Sequence, residues 1–75
     1  MLIIGIIGYG YWGTNLVRNF NNQPFCRIAK VADARQERRA LLEKNYPSIQ
    51  TVSQANEIIG DNSIDAVVIA TPVHT

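Results

Sequence analysis

Three glycines near the start of the sequence have the spacing of a phosphate-binding turn. Gly8, Gly10 and Gly13 form the pattern G-x-G-x-x-G. In such a turn the first glycine permits a tight reversal and the second lets the main chain approach a pyrophosphate. The third lets the following helix pack against the preceding strand. The amides of Tyr11 and Trp12 would then donate to phosphate oxygens at the positive end of that helix. The alternative is that the glycines only form a tight turn.

The side chain of Trp12 has two interpretations. It covers the phosphate site, or it anchors the helix in the core together with Leu16 and Val17, which follow at helical spacing. The sequence favours neither interpretation over the other.

An acidic residue follows at the distance that a dinucleotide site requires. Asp33 lies twenty residues after Gly13, and its carboxylate would accept hydrogen bonds from both hydroxyls of the adenosine ribose. The alternative is an N-cap for a helix that begins at Ala34, and the two roles are compatible with each other. Because a 2′-phosphate would meet like charge at Asp33, NAD is the preferred cofactor and NADP the less favoured one. Arg35 instead favours NADP, since its guanidinium would pair with a 2′-phosphate if Asp33 turned away.

A third candidate segment, Ala70-Thr71-Pro72, follows the last predicted strand. Ligands of open α/β sheets lie at the carboxyl ends of the strands, so Thr71 and Pro72 would line the nicotinamide-ribose side of the site. The alternative is that Pro72 only ends the strand. His74 is interpreted as a solvated side chain, and no residue of the chain is predicted to be catalytic.

The elements that would position these residues alternate along the chain. Apolar runs predict strands, and the first and last of them are apolar enough to be buried on both faces of a parallel sheet. Lys30 is the polar exception within the second strand, which suggests a sheet edge or a lined crevice. The predicted strands are 2–7, 27–33, 49–52 and 64–70; the predicted helices run from the glycines to 21–24, over 35–46, and from an N-cap at Ser53 to a left-handed Gly60.

This alternation predicts an α/β domain with a doubly wound parallel sheet of the Rossmann type. Right-handed crossovers give the strand order 3-2-1-4 and leave only the short third helix on the second face of the sheet. The predicted fold is therefore incomplete, with apolar strand surface left uncovered. We expect that surface to pack on another domain or to cause self-association.

Composition excludes several classes of function. Seven Lys and Arg against six Asp and Glu give a net charge of +1, which is too small for nucleic-acid or anionic-membrane binding. The basic residues Arg35, Arg38 and Arg39 are expected to form a solvated helix face. Cys26 is the only cysteine and His74 the only histidine, so neither a disulfide nor a zinc site is predicted. No apolar run reaches membrane-spanning length, and a soluble, cytoplasmic protein is expected.

Taken together, three features resemble the amino-terminal region of the Gfo/Idh/MocA oxidoreductases. They are the glycine-rich turn of residues 8–13 with the helix that follows, the second strand ending in Asp33, and the segment 64–72. The resemblance implies NAD or NADP binding through Gly8, Gly10, Gly13, Asp33 and the turn at 70–72. It also implies hydride transfer to or from a secondary alcohol of a sugar, cyclitol or sugar nucleotide.

The family carries its catalytic residues further along the chain, typically a lysine in a Glu-Lys-Pro motif and a histidine in a second domain. No segment of this sequence matches them. Residues 1–75 are therefore interpreted as the amino-terminal part of a dinucleotide-binding domain, without the catalytic or substrate domain. The alternative is a non-catalytic module that senses a nucleotide or serves as a scaffold.

Overall fold

The computed structural model describes residues 1–70, so the predictions for Thr71, Pro72 and His74 lie outside the described residues. Within that range the strands form one parallel sheet in the order β3-β2-β1-β4. The predicted α/β class and strand order are therefore confirmed. The elements are β1 (Leu2–Ile7), α1 (Tyr11–Asn21), β2 (Cys26–Ala32), α2 (Gln36–Asn45), β3 (Gln50–Val52), α3 (Asn56–Ile59) and β4 (Ala66–Ile69).

The main core lies between the sheet and the helices α1 and α2. Side chains alternate between the two faces of a strand, so Ile4 and Ile6 of β1 point into the same core. They are at most 1% exposed and pack with Val17 of α1 and Leu42 of α2. Burial of each of these four aliphatic side chains stabilises the fold by about 1.5–3 kcal/mol.

A smaller core covers the second face of the sheet, where α3 packs through Ile58 against Ala32 and Val52. Gly5 makes this approach possible, because a Cβ at Gly5 would lie 2.5 Å from Cγ2 of Ile58. The helix has only four residues, and its other apolar residue, Ile59, is 67% exposed. One short helix therefore covers only part of this face.

Lys30 does not lie at a sheet edge, so the edge alternative of the prediction is wrong. Strand β2 has a neighbour on each side, and its register with β1 shifts so that Ile4 pairs with Ile28 while Gly5 pairs with Lys30. The extra residue directs the Lys30 side chain toward the α3 face. There its Nζ lies 2.7 Å from Oδ2 of Asp61, in the turn after α3. The charge of Lys30 is therefore compensated by an ion pair on the α3 face of the sheet.

Two further expectations fail at the carboxyl end of the described chain. Strand β4 is not buried on both faces. Val67 and Ile69 are 40% and 68% exposed, because they lie on the α3 face of the sheet but beyond the part that this short helix covers. Gly60 has φ −85°, an ordinary right-handed value, and α3 is capped by Ala55 rather than Ser53. None of the helices within residues 1–70 has the length and apolar character needed to cross a bilayer.

Candidate dinucleotide-binding site

The glycine-rich turn connects β1 directly to α1 at the carboxyl edge of the sheet. Gly8 has φ 102°, a conformation that side chains other than glycine rarely adopt. Its amide donates to the carbonyl oxygen of Ala32 at 2.7 Å, which ties the turn to the end of β2. Helix α1 then begins at Tyr11, so the amides of its first turn have no partner within the helix.

The other two glycines of the turn have different surroundings. A Cβ at Gly13 would overlap the carbonyl oxygen of Gly8, so this glycine allows α1 to pack against the turn. A Cβ at Gly10 would meet only Nη2 of Arg35, at 3.5 Å. Gly10 therefore leaves an open surface of main chain facing the end of β2, as a pyrophosphate contact requires.

Asp33 follows β2 and is buried, with 8% of its surface exposed. Its Oδ2 accepts a hydrogen bond from the Tyr9 amide at 2.8 Å, and its Oδ1 accepts one from the Arg35 amide at 2.9 Å. Hydrogen bonds from the Arg35 side chain are the main cause that lowers the pKa of Asp33 to about 2. Helix α2 begins later than predicted, with Arg35 at the N-cap position and no capping hydrogen bond from its side chain. The bond from the Arg35 amide to Oδ1 of Asp33 still ties the Asp33 side chain to the start of this helix.

The Arg35 guanidinium forms a two-point ion pair with the Asp33 carboxylate. Nε lies 3.0 Å from Oδ1 and Nη2 lies 2.9 Å from Oδ2. Asp33 therefore faces Arg35 instead of turning away from it. The carboxylate remains ionised at neutral pH and acts only as an acceptor.

Two arginines of α2 hold the main chain around the site, a role that the sequence analysis missed. Nε of Arg38 donates to the Tyr9 carbonyl oxygen, and Nη1 of Arg39 donates to the Asp33 carbonyl oxygen, both at 2.7 Å. Arg38 also lies over the Tyr9 ring, with 5.6 Å between its Cζ and the ring centroid. Both side chains are half-buried, so the prediction of a solvated face is wrong for them. Arg38 and Arg39 lie three and four residues after Arg35, so helical spacing places all three on one face of α2. This spacing could have indicated that they act at the same site as Arg35.

Tyr9 is the buried residue of the turn and packs in the main core with 2% of its surface exposed. Burial is the main cause that raises the pKa of its phenol, and a hydrogen bond with Asn45 of α2 partly opposes it. The side chain therefore links the turn to α2 as a neutral phenol. No catalytic role was predicted for it.

The turn, Asp33 and Arg35 line one cavity of about 380 Å³, a size typical of small-molecule sites. Five predicted site residues contribute to its wall: Gly8, Gly10, Asp33, Arg35 and Ala70. Sequence reasoning missed the segment between β3 and α3, which also lines the cavity through Ser53, Gln54 and Ala55. The open face of Gly10 and the buried carboxylate of Asp33 in one cavity fit the phosphate and ribose of a dinucleotide.

Three predicted residues lie at the start of α1 and not in the cavity wall. Gly13 packs against Gly8, while Tyr11 and Trp12 are 75% and 63% exposed. Their rings meet edge to face with 5.4 Å between centroids. The interpretation of Trp12 as a core anchor is therefore wrong. Among residues 1–70, no three acidic, Cys or His side chains are grouped to hold a metal ion.

Comparison with known proteins identifies the family. The sequence model of the family described as "Oxidoreductase family, NAD-binding Rossmann fold", GFO_IDH_MocA, matches residues 2–75. The chain belongs to this family. The NAD-binding fold of the Gfo/Idh/MocA oxidoreductases implies a small dinucleotide as the ligand, in agreement with the sequence prediction.

Individual relatives are much longer than this chain. The inositol 2-dehydrogenase 1 of Saccharopolyspora erythraea is 34% identical over 74 residues, which are 96% of this chain and 22% of that protein. A myo-inositol dehydrogenase structure from Corynebacterium glutamicum is 25% identical with a TM-score of 0.84, covering 96% of this chain and 21% of the other. An NAD-binding protein from Listeria innocua is 25% identical with a TM-score of 0.83, over 95% and 20% of the two chains.

Proposed function

We propose that this chain is the coenzyme-binding part of a dehydrogenase that transfers hydride between NAD and a secondary alcohol of a sugar, cyclitol or sugar nucleotide. The observation that carries the proposal is the meeting of the open Gly10 main chain and the buried Asp33 carboxylate in one cavity. The inositol dehydrogenases among the relatives support the substrate class. The bound nicotinamide would supply the acceptor or donor of the hydride.

The turn and the start of α1 would hold the pyrophosphate. Gly8 directs the main chain into the turn with a positive φ, and Gly10 leaves room for phosphate oxygens. The amides of Tyr11 and Trp12 lie in the first turn of an eleven-residue helix, where free amides and the helix dipole favour an anion. Thr71 and Pro72 remain candidates for the nicotinamide-ribose side.

Asp33 would orient the adenosine ribose. Its low pKa keeps the carboxylate charged at neutral pH, so both oxygens are acceptors for the two ribose hydroxyls. The same charge opposes a 2′-phosphate, which favours NAD over NADP. Arg38 and Arg39 would position this residue and the turn through their main-chain hydrogen bonds.

The catalytic base and the substrate pocket would lie outside residues 1–75. In support, the chain corresponds to about a fifth of each relative's length. Within residues 1–70, three side chains whose pKa values are shifted are unsuited to proton transfer near neutral pH. The pKa values of Asp33 and Asp61 are lowered, and that of Tyr9 is raised. The cavity with its binding groups on Gly10 and Asp33 also suits a second candidate, a module that binds the nucleotide without turnover.

Calorimetric titration with NAD, NADP and AMP, followed by an assay for reduced nicotinamide with inositols and sugars, tests both candidates. We expect micromolar binding of NAD and weaker binding of AMP, which lacks the second phosphate and ribose. Turnover in a protein that contains these residues supports the dehydrogenase. Binding without turnover supports the second candidate, and no binding of any nucleotide contradicts both.

A further inference from the structure

The proposed ribose acceptor already has a partner within the chain. Both oxygens of Asp33 accept from the Arg35 side chain, at 3.0 Å from Nε and 2.9 Å from Nη2. The planar guanidinium matches the carboxylate at two points, which is the strongest geometry for such a pair. The two ribose hydroxyls would need the same acceptor atoms.

The guanidinium also lies at the wall of the cavity that would hold the dinucleotide. Arg35 lines the cavity together with Gly8, Gly10 and Asp33. Its Nη2 is the atom that a Cβ on Gly10 would meet, at 3.5 Å. The group is therefore placed between the acceptor carboxylate and the glycine-rich turn.

Arg35 differs from its neighbours in how firmly it is held. Its side chain is 54% exposed, while that of Asp33 is 6% exposed. The ion pair with Asp33 is the contact that holds the guanidinium, whereas Arg38 and Arg39 are half-buried and bound to main-chain carbonyl oxygens. A partly exposed ion pair contributes little net stability, so a ligand can displace it.

We propose that Arg35 selects between the two dinucleotides: it competes with the NAD ribose for the Asp33 carboxylate, and it pairs with the 2′-phosphate of NADP. This inference rests on the proposed dinucleotide site. An NAD ribose replaces the guanidinium as the donor to Asp33 and releases Arg35 toward solvent. A 2′-phosphate instead keeps the guanidinium at the site as its counter-ion and separates it from the Asp33 charge.

The first test compares dissociation constants for NAD and NADP in the wild-type chain and in Arg35→Gln. Loss of the competitor should tighten NAD binding by about threefold or more, and loss of a charge-assisted contact should weaken NADP binding by about tenfold or more. Arg35→Lys keeps the charge but not the two-point geometry, so its NADP affinity should fall between the two. Arg27→Gln, an exposed position at the start of β2, is the matched control and should change neither constant.

The second test follows the Arg35 Nε–H resonance of the wild-type protein by NMR. Addition of NAD should move this resonance toward its position in Asp33→Asn, where the guanidinium has lost its partner. Addition of NADP should move it in a different direction, because a phosphate replaces the carboxylate. This measurement does not depend on the folding of an Arg35 variant.

The outcomes separate this inference from the proposed function. If neither nucleotide binds the folded wild-type protein, both are overturned. If NAD binds but Arg35→Gln leaves the ratio of the two constants unchanged, or weakens both equally, only the selecting role of Arg35 is overturned. An Arg35 resonance that does not move on saturation with NAD overturns the competition in the same way.

Discussion

The backbone of Gly13 lies against the carbonyl group of Gly8, so closely that a Cβ on Gly13 would lie 2.9 Å from the carbonyl carbon of Gly8. Gly10, three residues earlier, has space at the same position, since its nearest contact would be Nη2 of Arg35 at 3.5 Å. Two glycines of one turn thus have different physical requirements. Gly13 is needed for helix packing, and Gly10 is free of any packing constraint from the backbone.

Alanine substitutions should separate these two requirements. We expect Gly10→Ala to keep its helical circular dichroism and its melting temperature while losing NAD affinity by about tenfold or more, because the methyl group would occupy the phosphate approach. Gly13→Ala should instead lose at least about 2 kcal/mol of unfolding free energy. Unchanged NAD affinity in a folded Gly10→Ala chain would contradict the phosphate role.

The ionisation of Asp33 should appear in the acid stability of the fold. Its folded-state pKa is lowered from 3.8 to about 2, mainly by Arg35, so its contribution to stability is present above the unfolded-state pKa and is lost as the pH falls toward 2. All the hydrogen bonds that the carboxylate accepts, from the Tyr9 and Arg35 amides as well as from the guanidinium, together contribute at most about 2 kcal/mol, and the exposed guanidinium supplies only part of it. Urea unfolding at about pH 5 and pH 2.5 should therefore show a smaller acid loss for Asp33→Asn than for the wild type.

The pair of Lys30 and Asp61 also loses stability in acid, because the pKa of Asp61 is lowered by Lys30. Both proteins in the comparison retain this pair, so the difference between them isolates Asp33. An identical acid loss in the wild type and Asp33→Asn would contradict a stabilising role of the ionised Asp33 carboxylate.

The contact between β1 and α3 predicts a coupled pair of substitutions. Gly5→Ala should cost about 1–3 kcal/mol, since the new methyl group would lie 2.5 Å from Cγ2 of Ile58. Ile58→Ala removes that atom. The double variant should therefore lose about 1 kcal/mol less unfolding free energy than the two single variants lose in sum. Denaturant unfolding of all four proteins measures this coupling, and simple additivity would argue against the contact.

The exposed side of β4 predicts self-association of the isolated chain. Val67 and Ile69 are 40% and 68% exposed on one face, and exposed apolar surface favours association. Replacing both by Thr should lower the weight-average mass in sedimentation equilibrium at high concentration. Leu41→Thr, at an exposed position of α2, is the control and should leave the mass unchanged. A monomeric wild-type chain would refute the prediction.

Local chemistry explains which features could be predicted from the sequence. The glycine spacing, the apolar first strand and the strand order follow from backbone conformation and the handedness of crossovers. These are properties of short segments, and the structure agrees with them. The position of Asp33 at the end of β2 also follows, because the length of a strand-helix-strand unit fixes it.

Features that depend on distant contacts could not be predicted. Trp12 has helical spacing with apolar residues but lies on the exposed side of α1. Lys30 pairs with Asp61, a residue 31 positions away, next to an irregular register between β1 and β2. In each case burial is set by a neighbouring element whose position the local pattern does not contain.

The side-chain oxygens of Asp33 close the turn at Tyr9 and the start of α2 at Arg35, and the carboxylate is also the proposed reader of the ribose. A substitution at this position changes recognition and architecture together. The Arg35 side chain touches the same carboxylate from the solvent side and can be replaced with little loss of stability. Engineering of coenzyme preference should therefore start at position 35, because a change at position 33 would also loosen the turn.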